Sequence, residues 1–195
     1  MKTNYHRVFA NAIVITAIIT SLSACTDSKP KTEDSKEIAE EHNDAKFENK
    51  NKEEDAEFLV KAAEINLEEI ELGKFAQQIS KTKSVKELGA MMEKQHSEAM
   101  NELKDLAAKK TITIPTSLTQ GGKDACDKLN NKTGKEFDEE YCEMMVKGHK
   151  GAIEMFENAT VKSVDPDIKA WAIAMLPVLR THLDHAMTCQ EKCKK

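Results

Sequence analysis

Four stretches of this chain place apolar residues at alternating steps of three and four, the repeat of one face of an α-helix. The first, over 54–80, reads Phe58, Ala62, Ile65, Glu69, Leu72, Ala76, Ile79, and the second, from Ser84, reads Val85, Gly89, Met92, His96, Ala99, Leu103, Leu106. The third, over 135–160, reads Cys142, Met145, His149, Ala152, Phe156, Ala159. The fourth opens at Asp165-Pro166, an N-cap followed by proline at the first helical position, and continues Ile168, Ala172, Met175, Leu179, His182, Ala186, Cys189, Cys193. Such seams are buried by packing on one another. Short loops after the first and third make each pair an antiparallel hairpin, so the predicted fold is an all-α antiparallel four-helix bundle over 54–193. With 5% aromatic residues, 7 Gly and 4 Pro, the composition favours helix over sheet. Ser84-Val85-Lys86-Glu87 has the form of a capping box, Pro177 is expected to bend the fourth helix, and a short helix is expected over 123–129.

Each seam carries one ionisable intruder: Glu69, His96, His149 and His182. Burying such groups without partners is costly, so they are expected to satisfy one another or a metal. With the first turn near Thr82, Glu69 and His96 face each other across the first hairpin. With the second turn near Lys162, His149 and His182 miss by about seven residues, roughly 10 Å of helix rise, which leaves His182 as the outlying member. Two readings follow: a buried hydrogen-bonded network, or a transition-metal site for Zn, Fe or Cu. A di-iron oxidase is disfavoured. Glu93-Lys94-Gln95-His96 supplies one Glu-x-x-His motif, but Val146 and Leu179 stand where the others need ligands.

The first 25 residues read as an address. Lys2, His6 and Arg7 precede an apolar stretch from Val8 to Ala24, which ends in Leu22-Ser23-Ala24-Cys25. That order resembles a bacterial lipobox, which predicts a signal peptide over 1–24 and a lipid on Cys25 anchoring the protein to a membrane; an uncleaved anchor helix is the alternative. The expected location is the bacterial cell envelope, at the outer membrane on its periplasmic or surface face. Residues 25–53 are dominated by Lys, Glu, Asp and Asn and read as a flexible tether. The net charge of −5, with acids and bases interspersed, gives no footprint for nucleic acid.

Outside the cytoplasm the remaining cysteines favour disulfides, and Cys142 with Cys189 and Cys126 with Cys193 are the pairings favoured among three. A thiolate metal or redox site using His185-x-x-x-Cys189 is the rival. Met91, Met92, Met144, Met145, Met155, Met175 and Met187 read as flexible core filler rather than copper ligands. No Gly-x-Ser-x-Gly and no phosphate-cradling glycine loop is present, so no catalytic residue is identified.

Several of these residues recur in one order: Ala62-Ala63, then Glu69-Ile70-Glu71-Leu72-Gly73-Lys74-Phe75-Ala76; Met92 and His96; Phe137-Asp138, Tyr141 and His149; Leu176-Pro177 and His182-Leu183. In these the chain resembles the domain of unknown function 4142, a ferritin-like helical family common in bacterial envelopes. The resemblance covers roughly 54–190 and implies a ferritin-like bundle with no established activity. Where that family usually has Asp before the second-helix histidine, this chain has Gln95, which removes an acidic partner. The expected function is a non-enzymatic binding or protective module whose protein or small-molecule partner the sequence does not identify. The alternative is a metal-binding protein using Glu69, His96, His149 and His182.

Overall fold

A computed structural model describes residues 34–194, all helical or loop. The expected signal peptide, Cys25 and the first part of the tether lie outside the described residues. Six helices follow: α1 (Ser35–Asp44), α2 (Lys50–Ile79), α3 (Lys83–Lys110), α4 (Gln120–Asn130), α5 (Gly134–Lys162) and α6 (Pro166–Cys193). The four long ones are the four predicted seams. α2 packs against α3 and α5, and α6 packs against α3 and α5, which closes the bundle. Among the described residues no helix is long and apolar enough to cross a membrane.

Local chemistry sets the ends. Asp165 caps α6, its carboxylate accepting from the amides of Asp167 and Ile168, with Pro166 at the first helical position as expected. The predicted capping box at Ser84 does not form. α3 starts at Lys83, and its N-cap, two residues before Ser84, is Thr82, whose hydroxyl donates instead to Asp138 on α5. The Ser80 hydroxyl donates to the other oxygen of Asp138 at 2.6 Å, so this buried carboxylate ties the α2–α3 turn to the second hairpin. α6 runs unbroken through Pro177.

The tether is shorter than its composition predicts. Residues 35–44 form α1, and α2 begins at Lys50 rather than 54. α1 is ordered by what it clamps: Asn43 is buried, its amide nitrogen donating to the Thr113 carbonyl at 2.8 Å and its oxygen accepting from the Thr113 amide at 2.8 Å. Both polar groups of that extended crossover backbone are thereby satisfied.

α2 and α3 touch backbone to backbone. A Cβ on Gly73 would lie 2.6 Å from the Gly89 carbonyl oxygen and 2.8 Å from the Glu93 nitrogen, so only glycine permits this crossing. The crossing lies at the level of the second of two apolar clusters into which the core divides. One apolar cluster holds Phe58, Leu59, Leu103, Phe156 and Ile168; the other holds Leu72, Met92, Phe137, Tyr141 and Met145. Between them, on every long helix, the apolar sequence is interrupted by the polar residues described next.

Candidate metal centre

His96 on α3, His149 on α5 and His182 on α6 are each at most 2% exposed, and they meet in the gap between the two apolar clusters. His149 Nε2 lies 3.4 Å from His96 Nε2 and 3.3 Å from His182 Nδ1. His182 is therefore a full member. The sequence argument misplaced the turn: α5 continues to Lys162 and α6 starts only at Pro166, which centres the reversal near Val164. His149 then stands 15 residues before it (164 − 149) and His182 18 after it (182 − 164), an offset of only three residues, or roughly 4.5 Å.

The nitrogens that face away from this meeting point are all occupied. His149 Nδ1 lies 2.8 Å from the Met145 carbonyl oxygen, which can only accept, so this nitrogen carries the ring proton. His96 Nδ1 donates to Asn66 Oδ1 at 2.9 Å, and His182 Nε2 donates to Gln95 Oε1 at 2.7 Å. Burial, and then the neighbouring His149 and His182, hold His96 well below the usual imidazole range. Burial likewise lowers His149, against the Met145 hydrogen bond, and burial with His149 and His185 holds His182 at about 4. Three neutral rings with their protons on the outside must point three bare lone pairs inward. Their separations exceed the 2.7–3.2 Å of ordinary hydrogen bonds, so the rings do not satisfy one another.

Does a metal fit? Nitrogens about 2.0–2.1 Å from a tetrahedral ion stand about 3.3–3.4 Å from each other. The two spacings found here, 3.4 and 3.3 Å, have that value. The donor set of three imidazoles suits Zn, Cu or Fe.

Glu69 is not at the meeting point. Its Oε1 lies 3.7 Å from His149 Nδ1, on the outer side of that ring. That distance does not make an ion pair, because burial, reinforced by Glu68, raises the Glu69 carboxyl well above its ordinary value while His149 is lowered. Its Oε2 is buried without a hydrogen-bond partner, and its Oε1 lies 3.3 Å from where a Cβ on Gly148 would stand. The glycine preceding His149 thus makes room for the carboxyl group. Glu93, of the incomplete di-iron motif, is engaged elsewhere, accepting from Gln77 at 2.6 Å.

Sequence reasoning missed Asn66 and misjudged Gln95. Asn66 stands one turn before Glu69 but off the three-four seam, and only the burial of that flank would have revealed it. Gln95 was read as the loss of an acidic partner, yet its amide oxygen accepts from His182 directly.

The four cysteines among the described residues are free, so the two expected disulfides are corrected. Cys142 Sγ faces Cys189 Sγ at 3.0 Å, too far for a bond, and Cys193 Sγ at 3.8 Å. Cys189 and Cys193 lie one turn apart on the same face of α6, so both turn to Cys142, and Cys126 is not paired with Cys193.

The family model described as Domain of unknown function (DUF4142) matches residues 40–189. Comparison with curated proteins gives no match. Among solved structures the fold is similar to that of CopM in the Cu(II)-bound form, with a TM-score of 0.59 and 16% identity over 71% of this chain and 96% of that one. At that identity the likeness is one of fold alone.

Proposed function

We propose a function from one premise: this chain belongs to the DUF4142 family. It is a metal-binding protein whose helical bundle holds a late first-row transition ion through His96 Nε2, His149 Nε2 and His182 Nδ1. The observation that carries this reading is the inward convergence of three lone pairs whose opposite nitrogens are all fixed by acceptors. A purely structural network would have to place at least one proton between the rings, and the Met145 carbonyl denies that to His149. Glu69 serves as a buried carboxyl behind His149 rather than as a ligand.

Copper is the ion to test first, because the structurally similar CopM is Cu(II)-bound; zinc is second, because the nitrogen spacings suit four-coordination. Binding or sequestration is the activity that three converging neutral imidazoles support directly. The leader and Cys25 extend the proposal to a membrane-tethered role in the envelope, outside the cytoplasm.

The test is a titration of purified protein with Cu(II) and with Zn(II), metal content being measured after desalting. One equivalent should be retained by wild type and lost in both His149→Ala and His182→Ala, with far-UV circular dichroism unchanged. Equal retention by the variants, or no retention by wild type, would overturn the assignment. Membrane tethering is tested separately, by whether Cys25→Ser moves the protein from the membrane to the soluble fraction.

A further inference from the structure

A second group of soft donors stands further along the same two helices. Cys142 precedes His149 by seven residues on α5, and Cys189 follows His182 by seven on α6, so the antiparallel register that joins the histidines also joins these cysteines. Cys193 adds a third sulfur one turn on. The three sulfurs lie within 4.8 Å of one another, with Cys142 and Cys189 buried and Cys193 half-buried. They belong to the second apolar cluster, with Leu88, Val85 and Ala186 among its members. The level lies about 10 Å along α5 from His149, too far for the two groups to share an ion.

We propose that Cys142, Cys189 and Cys193 form a distinct three-sulfur site for a soft monovalent cation of the copper(I) class. Three arguments select that class. Thiolate sulfur selects soft ions, Cu(I) and Zn among them. The site offers three donors, whereas structural zinc takes four, and His185, which lines the same cleft as Cys189, is exposed. Two of the three sulfurs, Cys189 and Cys193, also lie in the last turns of α6, where unsatisfied carbonyls favour a cation. Access is built in. A cleft of about 240 Å³ has Cys189 in its wall, with Met91 and His185 beside it as transient soft donors and Lys192 to offset thiolate charge. On binding, each ligating thiol gives its proton to solvent as its sulfur–copper bond forms, and copper stays in the +1 state.

This inference does not rest on the histidine site, and one experiment separates them. Fully reduced, anaerobic protein is titrated with Cu(I), supplied as its acetonitrile complex, against a chromogenic Cu(I) chelator. Wild type, Cys189→Ser, Cys193→Ser and His149→Ala are compared. Wild type and His149→Ala should retain one equivalent with a near-ultraviolet thiolate-to-copper charge-transfer band. Both cysteine variants should lose the band and hold Cu(I) about a hundredfold more weakly. Cys193→Ser, changed at a half-buried position, keeps the test valid should Cys189→Ser not fold. The proposal is overturned by a band that survives in the cysteine variants, by one lost only in His149→Ala, by displacement of Cu(I) with equimolar Zn(II), or by a Cys142–Cys189 bond that persists under reductant.

Discussion

Replacing Gln95 with leucine removes the acceptor that holds the proton of His182 on Nε2, at 2.7 Å. The ring is then free to carry that proton on Nδ1, the nitrogen that faces His149 at 3.3 Å, where it blocks a ligand lone pair. A neutral hydrogen bond is worth about 1 kcal/mol, so its loss returns roughly a fivefold share of the population to the wrong tautomer. Looser ring orientation adds to this, and partners of ligating histidines typically matter by about 10–100-fold in affinity, or about 1.4–2.7 kcal/mol. We expect about tenfold weaker metal binding in Gln95→Leu. Gln95→Glu should move the other way by about fivefold, because a carboxylate acceptor is roughly twice as strong and the position is half-exposed. The assay is competition against a chelator at fixed pH for Cu(II) and Zn(II), beside thermal melts of the metal-free proteins. Unchanged affinity in Gln95→Leu, or weaker binding in Gln95→Glu than in Gln95→Leu, would refute the lone-pair argument.

Gly73→Ala should destabilise the protein by about 1 kcal/mol or more in chemical denaturation. Overpacking against backbone atoms costs about 1–3 kcal/mol, and the helix gains only about 1 from losing glycine. An unchanged or higher midpoint would show that α2 and α3 are not in backbone contact. The metal-free protein should lose stability as pH falls from 6.5 towards 4. His182 is held at about 4 by burial and then by its imidazole neighbours, so the unfolded chain binds the extra proton in that window, worth about 3 kcal/mol for this group. Glu69 opposes this: its raised carboxyl contributes stability at low pH that is lost as pH rises, so Glu69→Gln should steepen the acid loss in urea titrations and remove the alkaline decline. Asn43→Ala should speed hydrogen exchange at the Thr113 amide and cost about 1–3 kcal/mol through two lost hydrogen bonds, whereas equal protection would detach α1 from the crossover.

The bundle was legible because a three-four seam has few other solutions, and the residues of the α3 seam are all buried as read. The intruders were legible for the same reason: a histidine among Met92, Ala99 and Leu103 must be answered by something. What surrounds them was not. Asn66 and the Met145 carbonyl act from positions that periodicity cannot rank, and a backbone oxygen bears no sequence mark. The depth of His182 depended on where α5 ends, and helix ends are the least determined property of a pattern. α1 escaped because its apolar face is short, little more than Ile38 and Ala39, and a polar clamp from Asn43 to Thr113, 70 residues away, helps to order it.

One imidazole of the trio belongs to the first hairpin and the other two to the second, His96 and His149 being 53 positions apart in the chain. Occupancy would act as a rivet through the midline, joining halves that otherwise adhere by packing and by a few polar ties such as Asp138 with Ser80 and Thr82. Loaded molecules should then come apart in a single step, with both hairpins released together, while empty ones can begin to part along that seam.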